Sequence, residues 1–121
     1  MDIQKLREMA LHLKIGNFQR HVFLCIGDDC CSQEQGEAAW NSLKHLLKER
    51  NLSLSDGPSA CYRTKASCLR VCMAGPILVV YPEGNWYAGM TADRIPEFVE
   101  RQLIAGEAIE EWIFAKNPIG K

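Results

Sequence analysis

Four of the six cysteines in this chain form two close pairs that lie far apart in the sequence. The first pair has the spacing Cys25-x4-Cys30 and the second has the spacing Cys68-x3-Cys72. Thiolates in such pairs can hold an iron–sulfur cluster or a metal ion. The function of the chain is therefore expected where the two loops that carry these cysteines come together.

The second pair is followed at once by an apolar segment bounded by turn residues. Residues 74–87 read Ala-Gly-Pro-Ile-Leu-Val-Val-Tyr-Pro-Glu-Gly-Asn-Trp-Tyr. An apolar run with glycine and proline on both sides predicts a buried strand. Cys68 and Cys72 are therefore predicted to lie on a loop that leads into the core.

Size and charge restrict the class of protein. The chain has 121 residues, of which 47% are hydrophobic, so one domain with a real core is expected. Its 14 basic and 15 acidic residues give a net charge of −1, which disfavours nucleic acid and anionic membranes as partners. The longest apolar runs, residues 22–26 and 77–81, are too short to span a bilayer, so no membrane insertion is expected.

The number of cysteines also bears on the cellular compartment. The N-terminus has no continuous apolar segment of the kind that directs secretion. Six cysteines without such a signal indicate a reducing compartment, where thiols serve metal or redox chemistry more often than disulfides. We therefore expect a cytoplasmic protein with a metal or cluster site.

The hydrophobic pattern predicts an α/β fold preceded by an extra helix. Residues 1–17 have apolar side chains at three- and four-residue steps, which indicates an amphipathic helix that packs on the domain or on a second copy of it. The later elements are expected in the order strand, helix, strand, hairpin and helix, over residues 21–25, 34–50, 60–64, 77–90 and 92–105. Pro96 is expected to loosen the start of the last helix. Residues 109–114 are expected to form a short strand or an apolar strap.

This order of elements predicts a mostly four-stranded mixed sheet flanked by helices. Both cysteine loops are then expected at one end of the sheet. A 2Fe-2S core needs two thiolates on each iron, and two loops with two cysteines each can supply them. Gly27 and Gly75 allow close approach of the backbone, while Arg63, Lys65 and Arg70 either lie on the surface or reduce the negative charge of the site.

The cysteine pairs, together with the segment that follows the second pair, resemble the thioredoxin-like 2Fe-2S ferredoxins. The small iron–sulfur subunit of respiratory NADH dehydrogenase shares this cysteine pattern. The resemblance covers roughly residues 21–113 and is most specific over residues 68–89. By the family's pattern, the ligands are Cys25, Cys30, Cys68 and Cys72.

The resemblance implies a thioredoxin-like domain at residues 18–121, which follows the helix at residues 1–17. It also implies a 2Fe-2S cluster near the surface and a one-electron carrier rather than an enzyme. Its expected partners are redox-partner proteins such as oxidoreductases, and a homodimer is expected.

The two remaining cysteines have different expected roles. Cys31 directly follows Cys30 and is the alternative second ligand, although the spacing favours Cys30. Neighbouring side chains in an extended chain point in different directions, so the two thiols exchange only if the loop rearranges. If Cys31 is not a ligand, it is a spare thiol open to ligand exchange or oxidation. Cys61 lies in a predicted strand and is expected to be a small buried side chain.

Three other functions remain open. Two thiolate pairs also suit a structural Zn(Cys)4 site in a binding module, although zinc pairs more often have the spacing Cys-x2-Cys. A thiol–disulfide oxidoreductase uses the same fold, but no Cys-x-x-Cys begins a predicted helix here. A redox-sensing or assembly subunit would use the cluster as a signal, and the N-terminal helix, the C-terminal apolar segment and Cys31 raise this alternative.

Overall fold

The computed structural model describes residues 1–120, which contain both helices and strands. The helices are α1 (Ile3–His12), α2 (Gln33–Glu49) and α3 (Ile95–Phe98), and α3 continues directly as a π-helix over Val99–Ile104. The strands are β1 (Arg20–Cys25), β2 (Cys61–Ala66), β3 (Ile77–Tyr81), β4 (Asn85–Tyr87) and β5 (Ile113–Lys116). A single 3-10 turn, Glu110–Trp112, leads into β5.

The five strands form one mixed sheet in the order β2-β1-β3-β4-β5. Strand β1 runs parallel to β2 and antiparallel to β3, and the remaining pairs are antiparallel. In this register Cys25, at the end of β1, lies between Ala66 at the end of β2 and Ile77 at the start of β3. The two cysteine loops therefore leave the sheet at the same end of the strands, as the sequence predicted.

The two helices that complete the core begin where their sequences allow. Ser32 caps α2 by accepting a hydrogen bond from the backbone N–H of Gln35, whose side chain reaches back to the N–H of Ser32. Pro96 lies in the first turn of α3, where its missing N–H has no helical partner to lose. The expected loosening before this helix is confirmed, because the helix starts only at Ile95.

The main core lies on one face of the sheet, between the sheet and both α2 and α3. It contains strand residues that alternate along β1 and β3 and the buried positions of the two helices, among them Val22, Leu24, Leu78, Val80, Ala39, Leu43, Leu47, Phe98 and Leu103. Cys61 is buried in the same core, as predicted. Burial of this face is the main source of stability in such a fold.

The opposite face of the sheet carries a cluster of rings that we call the aromatic face: Phe18, His21, Phe23, Tyr62 and Tyr81. Its rings are in contact, with Phe18 stacked on Tyr62 at 5.1 Å and His21 stacked on Phe23 at 4.1 Å between centroids. All five side chains remain partly exposed. No helix of residues 1–120 packs on this face, because the buried side chains of α2 and α3 belong to the core on the other side.

Helix α1 stands apart from the rest of the domain. None of its residues is buried, and it makes no extensive contact with another helix or strand in the described part of the chain. It ends at His12, earlier than the predicted end near Asn17, and residues 13–17 form turns. Asp56 fixes this turn segment by accepting hydrogen bonds from Lys14 Nζ at 3.0 Å and Asn17 Nδ2 at 2.9 Å.

Two strands differ from the sequence prediction. The second strand of the hairpin is short, Asn85–Tyr87 instead of residues 86–90, because the chain turns away at Gly89, which has a φ of 61°. Strand β5 (Ile113–Lys116) overlaps the predicted segment 109–114 only at its last two residues, because Glu110–Trp112 is a 3-10 turn. It pairs with β4 and gives the sheet five strands where mostly four were predicted. Within residues 1–120, no helix combines the length and apolar character needed to cross a membrane.

Candidate metal centre

The two cysteine loops form the walls of one open pocket at one end of the sheet, with a volume of about 810 Å³. All four cysteines of the two pairs line it: Cys25, Cys30, Cys68 and Cys72. The register of β1, β2 and β3 is what places these loops side by side. The structure thus brings together the four side chains that the sequence singled out.

The first pair forms the inner side of the pocket. Cys25 and Cys30 are only 2% and 6% exposed, and they pack with Ile77, the first residue of β3. Burial, followed by a hydrogen bond with Cys25, raises the pKa of the Cys30 thiol to about 12. A metal that binds here must displace protons from this pair, because only thiolates act as ligands.

The second pair forms the outer side of the pocket and is exposed to solvent. Cys72 hydrogen bonds with Cys68, and this contact is the main reason why the pKa of Cys72 is raised. The backbone N–H of Arg70 donates a hydrogen bond to the Cys68 sulfur at 3.2 Å. Backbone donors directed at sulfur stabilise thiolates and reduced clusters.

The loop that carries the outer pair has an unusual backbone. Arg70, Cys72 and Ala74 have φ values of 73°, 60° and 56°, in the left-handed region that glycine normally occupies. When residues with left-handed φ alternate with residues of right-handed φ, their successive backbone N–H groups point into the same concave surface of the loop. Sequence reasoning missed this feature, because none of the three residues is a glycine or an asparagine.

At two glycines the cysteine loops pack so closely that there is no space for a side chain. A Cβ on Gly27 would overlap the backbone oxygen of Ser67, and a Cβ on Gly75 would overlap the sulfur of Cys30. The N–H of Gly75 also donates a hydrogen bond to the carbonyl oxygen of Cys30 at 2.9 Å. The close backbone approach predicted for Gly27 and Gly75 is confirmed.

Cys31 occupies a different place from the four pocket cysteines. It is partly exposed and does not line the pocket. Its sulfur hydrogen bonds with Cys30 and lies 3.2 Å from the position that a Cβ on Gly36 of α2 would take. Burial raises the pKa of this thiol. Cys31 therefore contacts the inner pair from outside the pocket.

The sulfurs of the four pocket cysteines meet two by two. In the part of the chain that the structure describes, no three His, Cys, Asp or Glu side chains converge on a single point that could hold one metal ion. Cys25 instead contacts Cys30, and Cys68 contacts Cys72. Two pairs of thiols in one pocket suit a 2Fe-2S cluster, which takes two thiolates on each iron.

The charged residues that line the pocket include one of the three basic residues named from the sequence and three acidic residues. Lys65 lines the pocket, but Arg63 and Lys65 both lie over the ring of Trp40, at 5.4 and 5.8 Å from its centroid. Arg63 also donates a hydrogen bond to the Ser53 hydroxyl at 3.2 Å. The sequence analysis overlooked three acidic residues that line the pocket, Asp28, Asp29 and Glu37.

Known proteins resemble this chain over most of its length, although no protein-family model matches it. It is 30% identical over 101 residues to the 2Fe-2S ferredoxin of Aquifex aeolicus (strain VF5), a match that covers 81% of this chain and 91% of the relative. It is 31% identical over 96 residues to the 2Fe-2S ferredoxin of Clostridium pasteurianum, covering 78% and 94%. The solved thioredoxin-like [2Fe-2S] ferredoxin from Aquifex aeolicus superposes with a TM-score of 0.70 at 27% identity, over 86% of this chain and 98% of that one.

The fold and the paired thiols together define a thioredoxin-like domain with a four-cysteine pocket. The identity and coverage of the relatives show that the chain belongs to the 2Fe-2S ferredoxin family. This membership confirms the predicted fold, the predicted class of electron-transfer protein rather than enzyme, and the predicted 2Fe-2S cofactor. The individual ligands, the homodimer and the cytoplasmic location stay predictions.

Proposed function

We propose that this protein carries single electrons between redox-partner proteins by means of a 2Fe-2S cluster held by Cys25, Cys30, Cys68 and Cys72. The observation that carries the proposal is the position of these four thiols in one pocket, in contact two by two. When bound, such a cluster supplies reversible one-electron chemistry.

The two cysteine pairs have different roles on the two sides of the pocket. Cys25 and Cys30 hold the inner side, where burial excludes water. Cys68 and Cys72 hold the outer side, where a partner protein can approach. The N–H of Arg70 donates a hydrogen bond to the Cys68 sulfur, and backbone donors of this kind stabilise reduced clusters. This difference in exposure suits electron transfer between proteins, because the outer side is available for docking while the inner side is protected.

The same proposal extends to the organisation and location of the protein. Residues 18–121 form the ferredoxin domain, and residues 1–17 are an accessory segment. The protein is a homodimer, a proposal supported by the aromatic face, which no helix within residues 1–120 covers. It works in the cytoplasm, where a reducing environment keeps its six cysteines available for metal binding.

The experiment that tests the cluster is visible absorption combined with iron, sulfide and zinc analysis of protein purified without oxygen. A brown protein with about two irons and two sulfides per chain is expected, since a single 2Fe-2S centre has that stoichiometry. A colourless protein with about one zinc per chain would overturn the proposal in favour of a metal-braced binding module.

Single Cys→Ser substitutions test the ligands one by one. Cys25→Ser, Cys30→Ser, Cys68→Ser and Cys72→Ser are each expected to lower the iron content, because serine oxygen is a poorer iron ligand than thiolate sulfur. Cys31→Ser is the matched control, since it changes the adjacent thiol, which does not line the pocket. If Cys31→Ser loses the cluster and Cys30→Ser keeps it, the second ligand is Cys31.

The redox-sensing alternative has one observation in its favour, the contact between the spare Cys31 thiol and Cys30. Protein-film voltammetry separates the two functions. A carrier gives a reversible one-electron couple with the cluster intact after repeated cycles, whereas a sensor loses its cluster on oxidation and changes its binding to a partner protein.

A further inference from the structure

Helix α1 carries an apolar stripe that nothing in its own copy covers. Ile3, Leu6 and Met9 lie three residues apart and so share one side of the helix. They are 49%, 52% and 54% exposed. We call these three residues the α1 stripe.

The aromatic face is a second uncovered apolar surface in the same chain. It spans three neighbouring strands, since Tyr62 lies on β2, His21 and Phe23 on β1, and Tyr81 on β3. Three strands cover a width of about 10–15 Å. A helix of ten residues such as α1 is about 15 Å long. The helix and the face therefore match in size as well as in chemistry.

Residues 13–18, which connect α1 to β1, hold the end of α1 beside β2, the edge strand of its own sheet. Leu13 shares a small cavity of about 210 Å³ with Trp40 of α2 and Tyr62 of β2. Asp56 binds both Lys14 and Asn17 at this point. Phe18 then passes onto the aromatic face and stacks on Tyr62. These contacts hold the C-terminal end of α1 near β2, the edge strand of the sheet. The helix itself makes no extensive contact with any strand of its own copy.

We propose that in the homodimer the α1 stripe of each copy packs on the aromatic face of the other. This rests on the homodimer proposed above and names the surfaces that form it. Two-fold symmetry makes the contact reciprocal, so that both stripes and both faces are covered at once. Two such contacts bring the buried area towards the roughly 1,200 Å² at which specific interfaces begin.

The test measures the dimer dissociation constant of the full chain, loaded with its cluster, by analytical ultracentrifugation. Leu6→Glu places a carboxylate in the middle of the α1 stripe and is expected to raise this constant about tenfold or more, because a charge would be buried among aromatic rings. Gln4→Glu adds the same charge on the opposite side of α1 and is expected to leave it unchanged. Neither change threatens folding, since α1 has no buried residue.

The outcomes separate this proposal from those it rests on. A wild-type dimer that Leu6→Glu leaves intact, or that Gln4→Glu weakens equally, overturns the role of α1 while the homodimer stands. A wild-type chain that is monomeric at every concentration overturns both, and the absorption of the bound cluster then still supports the electron carrier.

A photo-crosslinking residue at position 6 identifies the surface itself. Copies labelled with nitrogen-15 are mixed with unlabelled copies that carry the crosslinker, so that a link between copies is recognised by its mass. Links from position 6 to peptides that contain Phe23 or Tyr62 of the other copy are expected. Links within one copy, or from one α1 to the other, overturn the proposal.

Discussion

The sulfur of Cys30 occupies the space that a side chain on Gly75 would need. The same two residues are joined through their backbones, since Gly75 N–H donates to the Cys30 carbonyl oxygen at 2.9 Å. Position 75 therefore determines how closely the outer cysteine loop can approach the inner pair.

Gly75→Ala is expected to damage both the site and the fold. The added methyl group overlaps Cys30 Sγ and comes within 2.7 Å of its carbonyl oxygen, so one loop must move. We expect a loss of about 1–3 kcal/mol in the free energy of unfolding, as for other overpacked positions, together with a lower iron content per chain. Gly57→Ala is the control, because its Cβ would meet only the Ser55 hydroxyl at 3.3 Å. Equal iron contents in the two variants would contradict this account.

Cys61→Ala is expected to leave the cluster untouched. Cys61 lies in the main core, away from the pocket, and its thiol contacts the Tyr62 carbonyl oxygen. Its removal should cost about 1 kcal/mol of stability, the usual effect of a small cavity. Iron analysis and denaturant unfolding measure both quantities, and a loss of iron without a loss of stability would show a role at the site.

Cys61 is also expected to resist alkylation in the folded protein. Burial raises the pKa of its thiol to about 12, so very little of the reactive thiolate is present at pH 8. With the cluster removed, iodoacetamide at pH 8 should modify the exposed Cys68 and Cys72 quickly and Cys61 only after unfolding. Mass spectrometry of digested peptides follows each thiol, and rapid labelling of Cys61 in native protein would be inconsistent with its burial.

His21 should make the stability of the protein depend on pH. Burial lowers its pKa below the ordinary value of 6.5, because the charged form is desolvated among the rings of the aromatic face. The unfolded chain then binds the proton more readily than the folded one, so stability is complete above pH 6.5 and falls as the pH drops from there towards the folded pKa. His21→Gln should flatten this slope in unfolding experiments between pH 5 and 7, while His12→Gln on α1 should not. A slope unchanged by His21→Gln would assign it to another group.

Ala74→Gly is expected to stabilise the protein, which is unusual for a change to glycine. Ala74 has a φ of 56°, where a side chain is strained and glycine is not. Relief of this strain should outweigh the larger freedom of glycine in the unfolded chain, giving a gain of up to about 1 kcal/mol. Ala115→Gly in β5 lacks this relief and should destabilise. Thermal unfolding of the two variants provides the comparison, and a shared loss of stability would show that position 74 is not strained.

The parts of the fold that local patterns determine were predictable. Helix α2 follows from its apolar period and its capping residues, and the start of α3 follows from Pro96. The meeting of the cysteine loops was also predictable, because the buried run at β3 directly follows the second pair. In each case a few neighbouring residues contain the necessary information.

The parts that depend on distant contacts were not predictable. Strand β5 is a strand because it pairs with β4, and its four residues do not distinguish a strand from a strap. The left-handed φ values at Arg70 and Cys72 depend on how the loop closes over the pocket and leave no mark on residue type. The placement of α2 and α3 on the same face likewise follows from the strand order, which the sequence does not state.

Because the two cysteine pairs are unequally buried, molecules from solution reach them in a fixed order. Any chelator, oxidant or iron donor that arrives from solution meets Cys68 and Cys72 first, because Cys25 and Cys30 lie behind them against Ile77. If the four cysteines hold the cluster as proposed, its assembly and loss should begin at the outer pair and end at the inner pair. The lifetime of the site should then depend more on the exposure of the outer pair than on the stability of the domain beneath it.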